Sequence, residues 1–422
     1  MNVSRLKRIS AFMIALAALI PLASACTLLS GTDTGGDRTA DPAASAPEVT
    51  PEPTDAPEVT QEPTPTPVPT PTAEPTPTPT PEPIKATLMF VGDLMCLASQ
   101  QYSAQKYASG GSRYDFKSSF EYVKPILEQA DCAFGNLETT LSHSWPYATA
   151  LQRTDDNMPN CNGPKEYLEA VKYAGFDVLA LANNHCCDAG QKGILETLDA
   201  VDEYGFMSTG VFRTAEDKRF IIVDVKGIRI AVLSYAESYN GKNGCVYGKT
   251  YMINTFSEEK VKRDVAAARA EGAELVIAYA HWGFEHLNAP PQHVREHAVI
   301  YANAGVDIIC GSHSHSVQPT VWITADDGRK VLCMYSMGNF VSSMSRDTAR
   351  DTFIAEVWIE KPYGENARVT KEIYHTCRII SELNGKNFVV VPTDERSLPG
   401  IANALAAADE RIRKIIFAER GR

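Results

Sequence analysis

Two histidines stand two positions apart where an apolar run ends, in the sequence Gly-Ser-His-Ser-His at residues 311–315. Alternate residues of an extended chain point to the same side, so the rings of His313 and His315 are expected to face one way. The chain holds only nine histidines among 422 residues. Such a pair holds a metal ion, moves protons or packs in the core, and the neighbouring motifs help to choose between these alternatives.

Five other apolar runs also end in a side chain that can bind metal. In chain order, the residues at the six run ends are Asp93, Glu138, Asn184 and His185, His281, His313 and His315, and Asn339. One such residue is ordinary turn chemistry, but ligands of α/β sheets bind at the carboxyl ends of strands, where all of these are expected. Carboxylates, an amide oxygen and several imidazoles suit Mn²⁺, Fe or Zn²⁺. They are too many for one tetrahedral ion, so the set predicts two divalent ions about 3.5–4 Å apart that share an acid, as in hydrolytic sites.

Each candidate ligand also has a purely structural interpretation, which the sequence leaves open. Asp93 would cap a turn, Glu138 would lie on a loop surface, and Asn184 would form an Asx turn. His281, next to Trp282, would be a packed and hydrogen-bonded histidine. The other histidines, at positions 143, 286, 293, 297 and 375, lack this strand-end context and are expected to be structural or to lie at the surface.

Short apolar runs alternate with amphipathic stretches from residue 84 onward. The runs predicted as strands are 87–91, 132–134, 176–181, 220–225, 228–234, 274–280, 306–310, 331–335, 352–358, 368–380 and 387–391. The stretches predicted as helices are 120–130, 165–173, 193–204, 257–271, 293–304 and 401–418. The sequence Val-Lys-Gly-Ile at 225–228 predicts a hairpin, so the sheet is expected to be mixed, in an α/β (α+β) fold.

The first 26 residues have the three-part pattern of a secretion signal. Arg5, Lys7 and Arg8 precede an apolar run at 9–22, and small residues then lead to Cys26. The pattern resembles the signal of bacterial lipoproteins, in which this cysteine becomes the lipidated first residue of the mature chain. It predicts a protein held by lipid at the extracytoplasmic face of the cell membrane, with plain secretion as the alternative.

Residues 27–83 are rich in Pro, Thr and Glu and contain fifteen of the chain's 26 prolines. Such a segment has little to bury, and it is expected to be a disordered linker that reaches on the order of 150 Å as polyproline II. The globular part is then expected at 84–360, with 361–422 either extending the same domain or forming a small appendage. The net charge is −12, and most of the acidic excess lies in the linker, so no surface for nucleic acid is predicted.

Nine cysteines remain beside Cys26, an odd number, and their spacing matches no cysteine-based zinc site. Those inside apolar runs are expected to be small core residues, namely Cys132, Cys310 and Cys333. Cys186 and Cys187 are adjacent, and in an exported protein Cys161 or Cys245 could form a disulfide with one of them.

The strand-end motifs, taken in order, resemble those of the CapA family of poly-γ-glutamate capsule synthesis proteins. The motifs are Gly-Asp (92–93), Gly-Asn-Leu-Glu (135–138), Ala-Asn-Asn-His (182–185) with Asp-Ala-Gly (188–190) behind it, His-Trp-Gly (281–283), Gly-Ser-His-Ser-His (311–315) and Ser-Met-Gly-Asn-Phe (336–340). The resemblance covers about 86–351. That family is similar in turn to calcineurin-like metallophosphoesterases, which implies a sandwich of two mixed β-sheets flanked by helices, with a two-metal site at the strand ends.

The resemblance also implies a role for each site residue. The ligands implied for the first ion are Asp93, Glu138 and His315, and those for the second ion are Glu138, Asn184, His281 and His313. His185 would lie beside the metals as a proton donor or transition-state contact. Asp188 would either orient the ring of His185 or cap the helix at 193–204, and the sequence does not choose between the two.

One departure from the metallophosphoesterase pattern concerns the first ion. Met95 stands where those enzymes have a ligand histidine, and a thioether is a poor ligand for a hard ion, so weaker binding is expected there. The leading hypothesis is a membrane-anchored, two-metal hydrolase of a phosphoester or related bond in an anionic substrate, such as a phosphate or a polyglutamate. One alternative is a non-catalytic component of capsule polymer assembly or export, working with other membrane proteins, whose metal site is structural or binds polymer. Another is a cell-surface binding protein without metal.

Overall fold

The computed structural model describes residues 81–149 and 160–420. The predicted signal with Cys26 and nearly all of the predicted linker lie outside these ranges, so the predictions for them stay predictions. Within the described ranges, no helix is both long enough and apolar enough to cross a membrane.

The strands and helices alternate through most of the described chain. The strands are β1 (Ile84–Leu94), β2 (Cys132–Leu137), β3 (Val178–Ala180), β4 (Met207–Thr209), β5 (Ile221–Val225), β6 (Ile228–Ala236), β7 (Leu275–His281), β8 (Ile308–Ser312), β9 (Thr320–Thr324), β10 (Lys330–Met334), β11 (Asn339–Val341), β12 (Asp351–Lys361), β13 (Arg368–Leu383) and β14 (Lys386–Pro392). The helices are α1 (Ala98–Tyr107), α2 (Lys124–Leu127), α3 (Tyr167–Ala174), α4 (Gly190–Glu203), α5 (Glu258–Ala270), α6 (Gln292–Ala304) and α7 (Ala402–Ile416).

The strands form two mixed sheets. The larger sheet has the order β14-β13-β12-β1-β2-β3-β4, with β11 also paired to β1, and the smaller sheet has the order β5-β6-β7-β8-β10-β9. In the larger sheet β1 to β4 are parallel, whereas β12, β13 and β14 join them in antiparallel pairs. In the smaller sheet β6, β7, β8 and β10 are parallel, with β5 and β9 antiparallel at the edges.

Side chains of the two sheets share one core, and helices cover the outer faces. Along β1, Leu88 and Phe90 face the core between the sheets, which also contains Ile230 of β6 and Ile277 of β7. The alternate residue Met89 packs in a second core against the helices on the outer face of the larger sheet. A third core joins α5 and α6 to the outer face of the smaller sheet. Burial of each Leu, Ile or Phe side chain contributes about 1.5–3 kcal/mol to the stability of the fold. The prediction of two mixed sheets flanked by helices is confirmed.

The C-terminal segment adds strands to the larger sheet. β13 pairs along the length of β12, from Arg378 opposite Asp351 to Arg368 opposite Glu360. Helix α7 buries Ala408 and Ile412 in the core between the sheets. Contacts group this segment, up to residue 420, with the rest of the described chain.

Two helices differ from the sequence prediction for local physical reasons, and the short strands β4, β9 and β11 were not predicted. The helix predicted at 120–130 is reduced to the four residues of α2, because Pro125 lacks an N–H and is accommodated only in a first helical turn. Helix α1 was not predicted, because the side chains it buries include Gln100 and Gln101 in place of an apolar stripe. Their amides donate to the carbonyls of Met95 and Cys96, at 2.8 and 2.9 Å.

The hairpin predicted at 225–228 is confirmed. Val225 pairs with Ile228, and the two turn residues Lys226 and Gly227 have φ angles of 54° and 84°. Two left-handed residues make a type I′ turn, whose twist matches that of the flanking strands.

Candidate metal centre

Parallel strands bring the predicted ligands to one region of the fold. Asp93 lies near the end of β1, Glu138 directly follows β2, and Asn184 follows β3. In the other sheet His281 is the last residue of β7, and His315 follows β8. The carboxyl ends of parallel strands meet at the same edge of a sheet, so each sheet presents part of the donor set at that edge.

The first group of donor atoms consists of Asp93, Glu138 and His315. One donor atom from each side chain lies within 4.8 Å of the others. Nδ1 of His315 is 3.5 Å from Oδ2 of Asp93, and its Nε2 is 3.8 Å from Oε1 of Glu138. All three side chains are buried.

The second group consists of Glu138, His281 and His313, whose donor atoms also lie within 4.8 Å of one another. Nε2 of His281 is 3.8 Å from Oε1 of Glu138 and 3.0 Å from Oδ1 of Asn184. The rings of His281 and His313 are 4.7 Å apart between centroids. The structure therefore brings all six predicted ligands together, in two groups that share Glu138.

Several donor atoms of these groups are buried without a hydrogen-bond partner among the described residues. They are Oδ2 of Asp93, both carboxylate oxygens of Glu138 and Nδ1 of His313. A buried polar atom without a partner is costly, and a buried carboxylate more so, unless a cation is bound beside it. Oxygen and imidazole donors are what Mn²⁺, Fe and Zn²⁺ prefer, so the residues fit divalent cations.

Electrostatics at the site also fit cation binding. Burial and the negative charge of Asp93 raise the pKa of Glu138 well above its usual range. Burial lowers the pKa of His281 well below its usual range, and burial together with His315 lowers the pKa of His313 to about 4. Neutral imidazole is the form that binds metal, and a nearby cation would favour the charged form of the carboxylate. For His315, contact with Asp93 outweighs burial and raises the pKa.

Two asparagines outside the predicted ligand set orient these ligands. Nδ2 of Asn339 donates to the carbonyl of Ala349 (3.0 Å), so its Oδ1 accepts from Nδ1 of His315 (2.8 Å). This contact turns the Nε2 lone pair of His315 toward Glu138, since the protonated nitrogen is the other one. Nδ2 of Asn136 donates to Oδ1 of Asp93 at 2.8 Å. Both asparagines stand inside the strand-end motifs, and that position was the available signal for them.

The predicted proton donor lies beside the shared carboxylate. Nε2 of His185 is 4.0 Å from Oε1 of Glu138, and its Nδ1 donates to Oδ2 of Asp188 at 2.8 Å. Oδ2 of Asp188 also accepts from the amide of Cys161 (2.8 Å), and its Oδ1 accepts from Nζ of Lys242 (2.7 Å). Burial acts to raise the pKa of Asp188, but His185 and Lys242 outweigh it and lower that pKa.

The contacts of Asp188 decide between the two roles that the sequence left open. Helix α4 begins at Gly190, and its N-cap residue is Ala189, whose side chain makes no capping hydrogen bond. The carboxylate instead holds the ring of His185. Lys242 completes the arrangement from a segment without a recognised motif, so no sequence signal pointed to it.

A disulfide joins Cys187, in the same turn, to Cys245. Cys161, the other partner that the sequence allowed, is a buried free thiol.

Met95 is fully buried, and its N–H donates to the carbonyl of Val341 at 3.1 Å. The histidines outside the site include His297, which contacts Glu237, and His375, which contacts Glu356, at 2.6 and 2.7 Å.

Comparison with known proteins agrees with the order of the motifs. The family model described as bacterial capsule synthesis protein PGA_cap matches residues 87–344. The chain is 29% identical to the capsule biosynthesis protein CapA of Bacillus anthracis over 279 residues, which are 64% of this chain and 63% of that protein. It is 29% identical to the PGA biosynthesis protein CapA of Bacillus subtilis (strain 168) over 275 residues, 64% of this chain and 67% of that protein. The match thus spans less than two thirds of the Bacillus anthracis relative.

Two solved structures are similar at low sequence identity. The NAD nucleotidase of Haemophilus influenzae is 13% identical with a TM-score of 0.45, covering 80% of this chain and 57% of that one. A calcineurin-like phosphoesterase of Bacillus subtilis is 14% identical with a TM-score of 0.42, covering 79% of this chain and 100% of that one.

Proposed function

The chain belongs to the family of bacterial capsule synthesis proteins described as PGA_cap, and on this premise we propose that it is a metal-dependent hydrolase of a phosphoester or related bond. By analogy with the names of its CapA relatives, it would act in the synthesis of poly-γ-glutamate capsule or of a related polymer of the cell envelope. One observation carries the proposal: two buried groups of donor atoms share Glu138, and His185 lies 4.0 Å from that shared carboxylate.

Two divalent cations fit the two groups of side chains. Asp93, Glu138 and His315 would hold one, and Glu138, Asn184, His281 and His313 would hold the other. Such cations, when bound, supply Lewis acidity that activates water and polarises the bond to be cleaved. Two dications against two carboxylates leave a charge of about +2, which favours an anionic substrate such as a phosphate or a carboxylate polymer.

The chain's own residues position the substrate and move a proton. Nδ1–H of His185 is held by Asp188, so its Nε2 faces the shared carboxylate and the space where a substrate meets the metals. In the imidazolium form, Nε2–H donates a proton to the leaving oxygen. Burial of these side chains excludes bulk water from around the reacting atoms, which strengthens the electrostatic interactions there.

We further propose that the protein is exported and lipid-anchored at Cys26, with residues 27–83 as a tether and other capsule-synthesis membrane proteins as partners. The support is the sequence pattern of residues 1–26 and the composition that follows. Metabolic labelling with an alkyne-tagged fatty acid tests this directly. Label and membrane association are expected in the full chain and are both expected to disappear in Cys26→Ala; a labelled Cys26→Ala protein would contradict the anchor.

Metal content and turnover test the catalytic proposal. Purified protein is expected to hold about two equivalents of metal and to hydrolyse bis(p-nitrophenyl) phosphate when Mn²⁺ is added. His281→Ala and His315→Ala are each expected to lose about one equivalent. His185→Ala is expected to keep its metal while its rate falls about 10²–10⁴-fold, the usual contribution of a general acid.

His375→Ala is the matched control, because His375 pairs with Glu356 and belongs to neither group. Metal without turnover, on this substrate and on capsule polymer, would contradict hydrolysis and favour the structural or polymer-binding role. A protein that binds no metal would contradict both.

A further inference from the structure

The loop at 237–249, here called the clamp loop, is joined to the turn that carries His185. Nδ2 of Asn184 donates to Oδ1 of Asn240 at 3.1 Å. Nζ of Lys242 donates to Oδ1 of Asp188 at 2.7 Å. The disulfide joins Cys245 to Cys187, across 58 positions of sequence. Three contacts therefore connect five consecutive positions, 184–188, to one loop of the other sheet.

Lys242 supplies the only fixed cation that contacts Asp188 among the described residues. The carboxylate is fully buried, and the lysine side chain is only 14% exposed. A buried charge is tolerated when it is paired and its remaining lone pairs accept hydrogen bonds. Here the amide of Cys161 and the ring of His185 both donate to Oδ2 of Asp188, and Lys242 donates to Oδ1. Lys242 thus fixes the plane of the carboxylate and, through it, the direction of the His185 ring.

Other contacts hold mainly the start of the clamp loop, where Glu237 contacts His297 and Tyr239 contacts Thr255. Its apolar contribution to the core is Tyr239 and Val246, whereas Tyr247 is 87% exposed. Asn240 and Gly241 have left-handed φ angles of 51° and 74°, which turn the chain so that Lys242 points inward. The disulfide at Cys187, the residue next to Asp188, therefore restrains the loop close to the contact between Lys242 and Asp188.

We infer that Lys242 is a positioning residue for His185, acting through Asp188, and that the Cys187–Cys245 disulfide keeps Lys242 at that carboxylate. Loss of either one frees the His185 ring to turn, without removing a metal ligand. The effect on turnover rests on the proposed function, since the direction of the ring matters to the rate only where His185 contacts substrate. The direction of the ring is itself observable without turnover.

The test follows the ring of His185 by ¹⁵N–¹H NMR in the zinc-loaded full-length protein. A hydrogen-bonded Nδ1–H resonance that is absent from His185→Gln is expected in the wild type. It is expected to weaken or vanish in Lys242→Met and to persist in Lys249→Met, whose exposed lysine lies on the same loop. In the phosphodiester assay, kcat of Lys242→Met is expected to fall by about tenfold or more, with KM and metal content unchanged, as for loss of an orienting partner.

Reduction of the wild type is the second measurement and does not depend on the folding of a variant. Dithiothreitol delivers two electrons and two protons to the disulfide, which gives two thiols while the reagent becomes its cyclic disulfide. The reduced protein is expected to match Lys242→Met in ring signal and rate. The Cys187→Ser/Cys245→Ser double variant is expected to match it already and not to respond to the reagent.

An unchanged ring signal in both Lys242→Met and the reduced wild type would overturn the inference. A zinc-loaded wild type that shows the ring signal but hydrolyses nothing would instead count against the proposed function, and the comparison of ring signals would still decide the role of Lys242.

Discussion

Glu138 is the side chain that the two groups of donor atoms share. Its Oε1 is 3.8 Å from Nε2 of His281, 3.8 Å from Nε2 of His315 and 4.0 Å from Nε2 of His185. Neither of its oxygens has a hydrogen-bond partner among the residues that the structure describes. Burial and Asp93 raise its pKa, so in the metal-free protein this side chain is a destabilising group. The same features make it a strong shared ligand once cations are present.

Substituting Glu138 by Gln keeps its size and removes its charge. Bound metal is expected to fall from about two equivalents to below one, because both cations lose a shared anionic ligand. Metal analysis after dialysis measures this, with Glu274→Gln as control, since Glu274 precedes β7 at the end opposite His281 and pairs with Lys361. The metal-free variant is also expected to unfold at a higher temperature than the metal-free wild type. Retention of two equivalents would refute the bridging role.

At the scale of elements, close contact between short strands sets the ligand positions. β11 lies beside the end of β1, with Asn339 opposite Asp93, and the amide of Asp93 donates to the carbonyl of Gly338 at 3.1 Å. A Cβ on Gly92 would come within 1.9 Å of that carbonyl oxygen. Glycine is thus required at position 92 for β11 to approach and for Asn339 to reach the His315 ring.

Gly92→Ala is therefore expected to separate β1 from β11. The free energy of unfolding should fall by about 1–3 kcal/mol, as for overpacked positions, and metal affinity should fall with it. Urea unfolding and metal titration measure the two effects. Gly244→Ala is the control, because a Cβ there meets nothing within 4 Å. Equal stability of the two variants would show that β11 can move away from β1 at little cost, and it would contradict the requirement for glycine at position 92.

Helix α4 holds the segment at 142–144 through one buried carboxylate. Burial acts against ionisation of Glu196, but hydrogen bonds donated by Ser142 and Ser144 outweigh it and lower its pKa to about 2. The unfolded chain has a higher pKa, so this carboxylate stabilises the fold above about pH 4.5, and the contribution is lost as the pH falls through about 2.

Glu196→Gln is expected to lower the free energy of unfolding by about 2–3 kcal/mol at pH 7. The difference from the wild type should shrink between about pH 4.5 and pH 2, because the wild-type carboxyl becomes protonated there. Denaturant unfolding at several pH values provides the measurement. Glu203→Gln, on the same helix and 56% exposed, should change stability little at any pH. If the difference in the free energy of unfolding between Glu196→Gln and the wild type did not change with pH, the charge of Glu196 would not be what stabilises the fold.

At the scale of the whole molecule, the donor set is divided between the two sheets. Asp93, Glu138 and Asn184 lie at or after the carboxyl ends of strands of the larger sheet, and the three ligand histidines lie at or after those of the smaller one. Bound cations would therefore link the two sheets at the edge of their shared core. Metal binding is then coupled to global stability, because the unfolded chain keeps none of this geometry.

Removal of metal is expected to lower the melting temperature by several degrees. Free ion at 100 times its Kd contributes about 2.7 kcal/mol per site, and calorimetry with and without a chelator measures the loss. Added Mn²⁺ or Zn²⁺ should restore it. Glu138→Gln provides the control, since a variant that binds little metal should respond little to the chelator. An identical response of the two proteins would show that the chelator acts elsewhere.

Much of this site is encoded locally. Asp93, Glu138, Asn184, His281 and the histidine pair each follow an apolar run within a few residues, so the sequence alone predicted that they would meet at strand ends. The alternation of runs and amphipathic stretches predicted an α/β fold, and Lys226-Gly227 predicted its hairpin, because strand periodicity and left-handed turns depend on neighbouring residues. The arrangement in two mixed sheets was implied by the resemblance to the CapA family.

The rest depends on contacts between distant positions. Lys242 reaches Asp188 across 54 residues, and Asn339 reaches His315 across 24. Whether Cys187 pairs with Cys161 or Cys245, and whether Asp188 caps a helix or holds a ring, are questions with two locally acceptable answers. The packing of one sheet on the other bears on both, because it brings Cys245 within disulfide distance of Cys187 and Lys242 within hydrogen-bonding distance of Asp188.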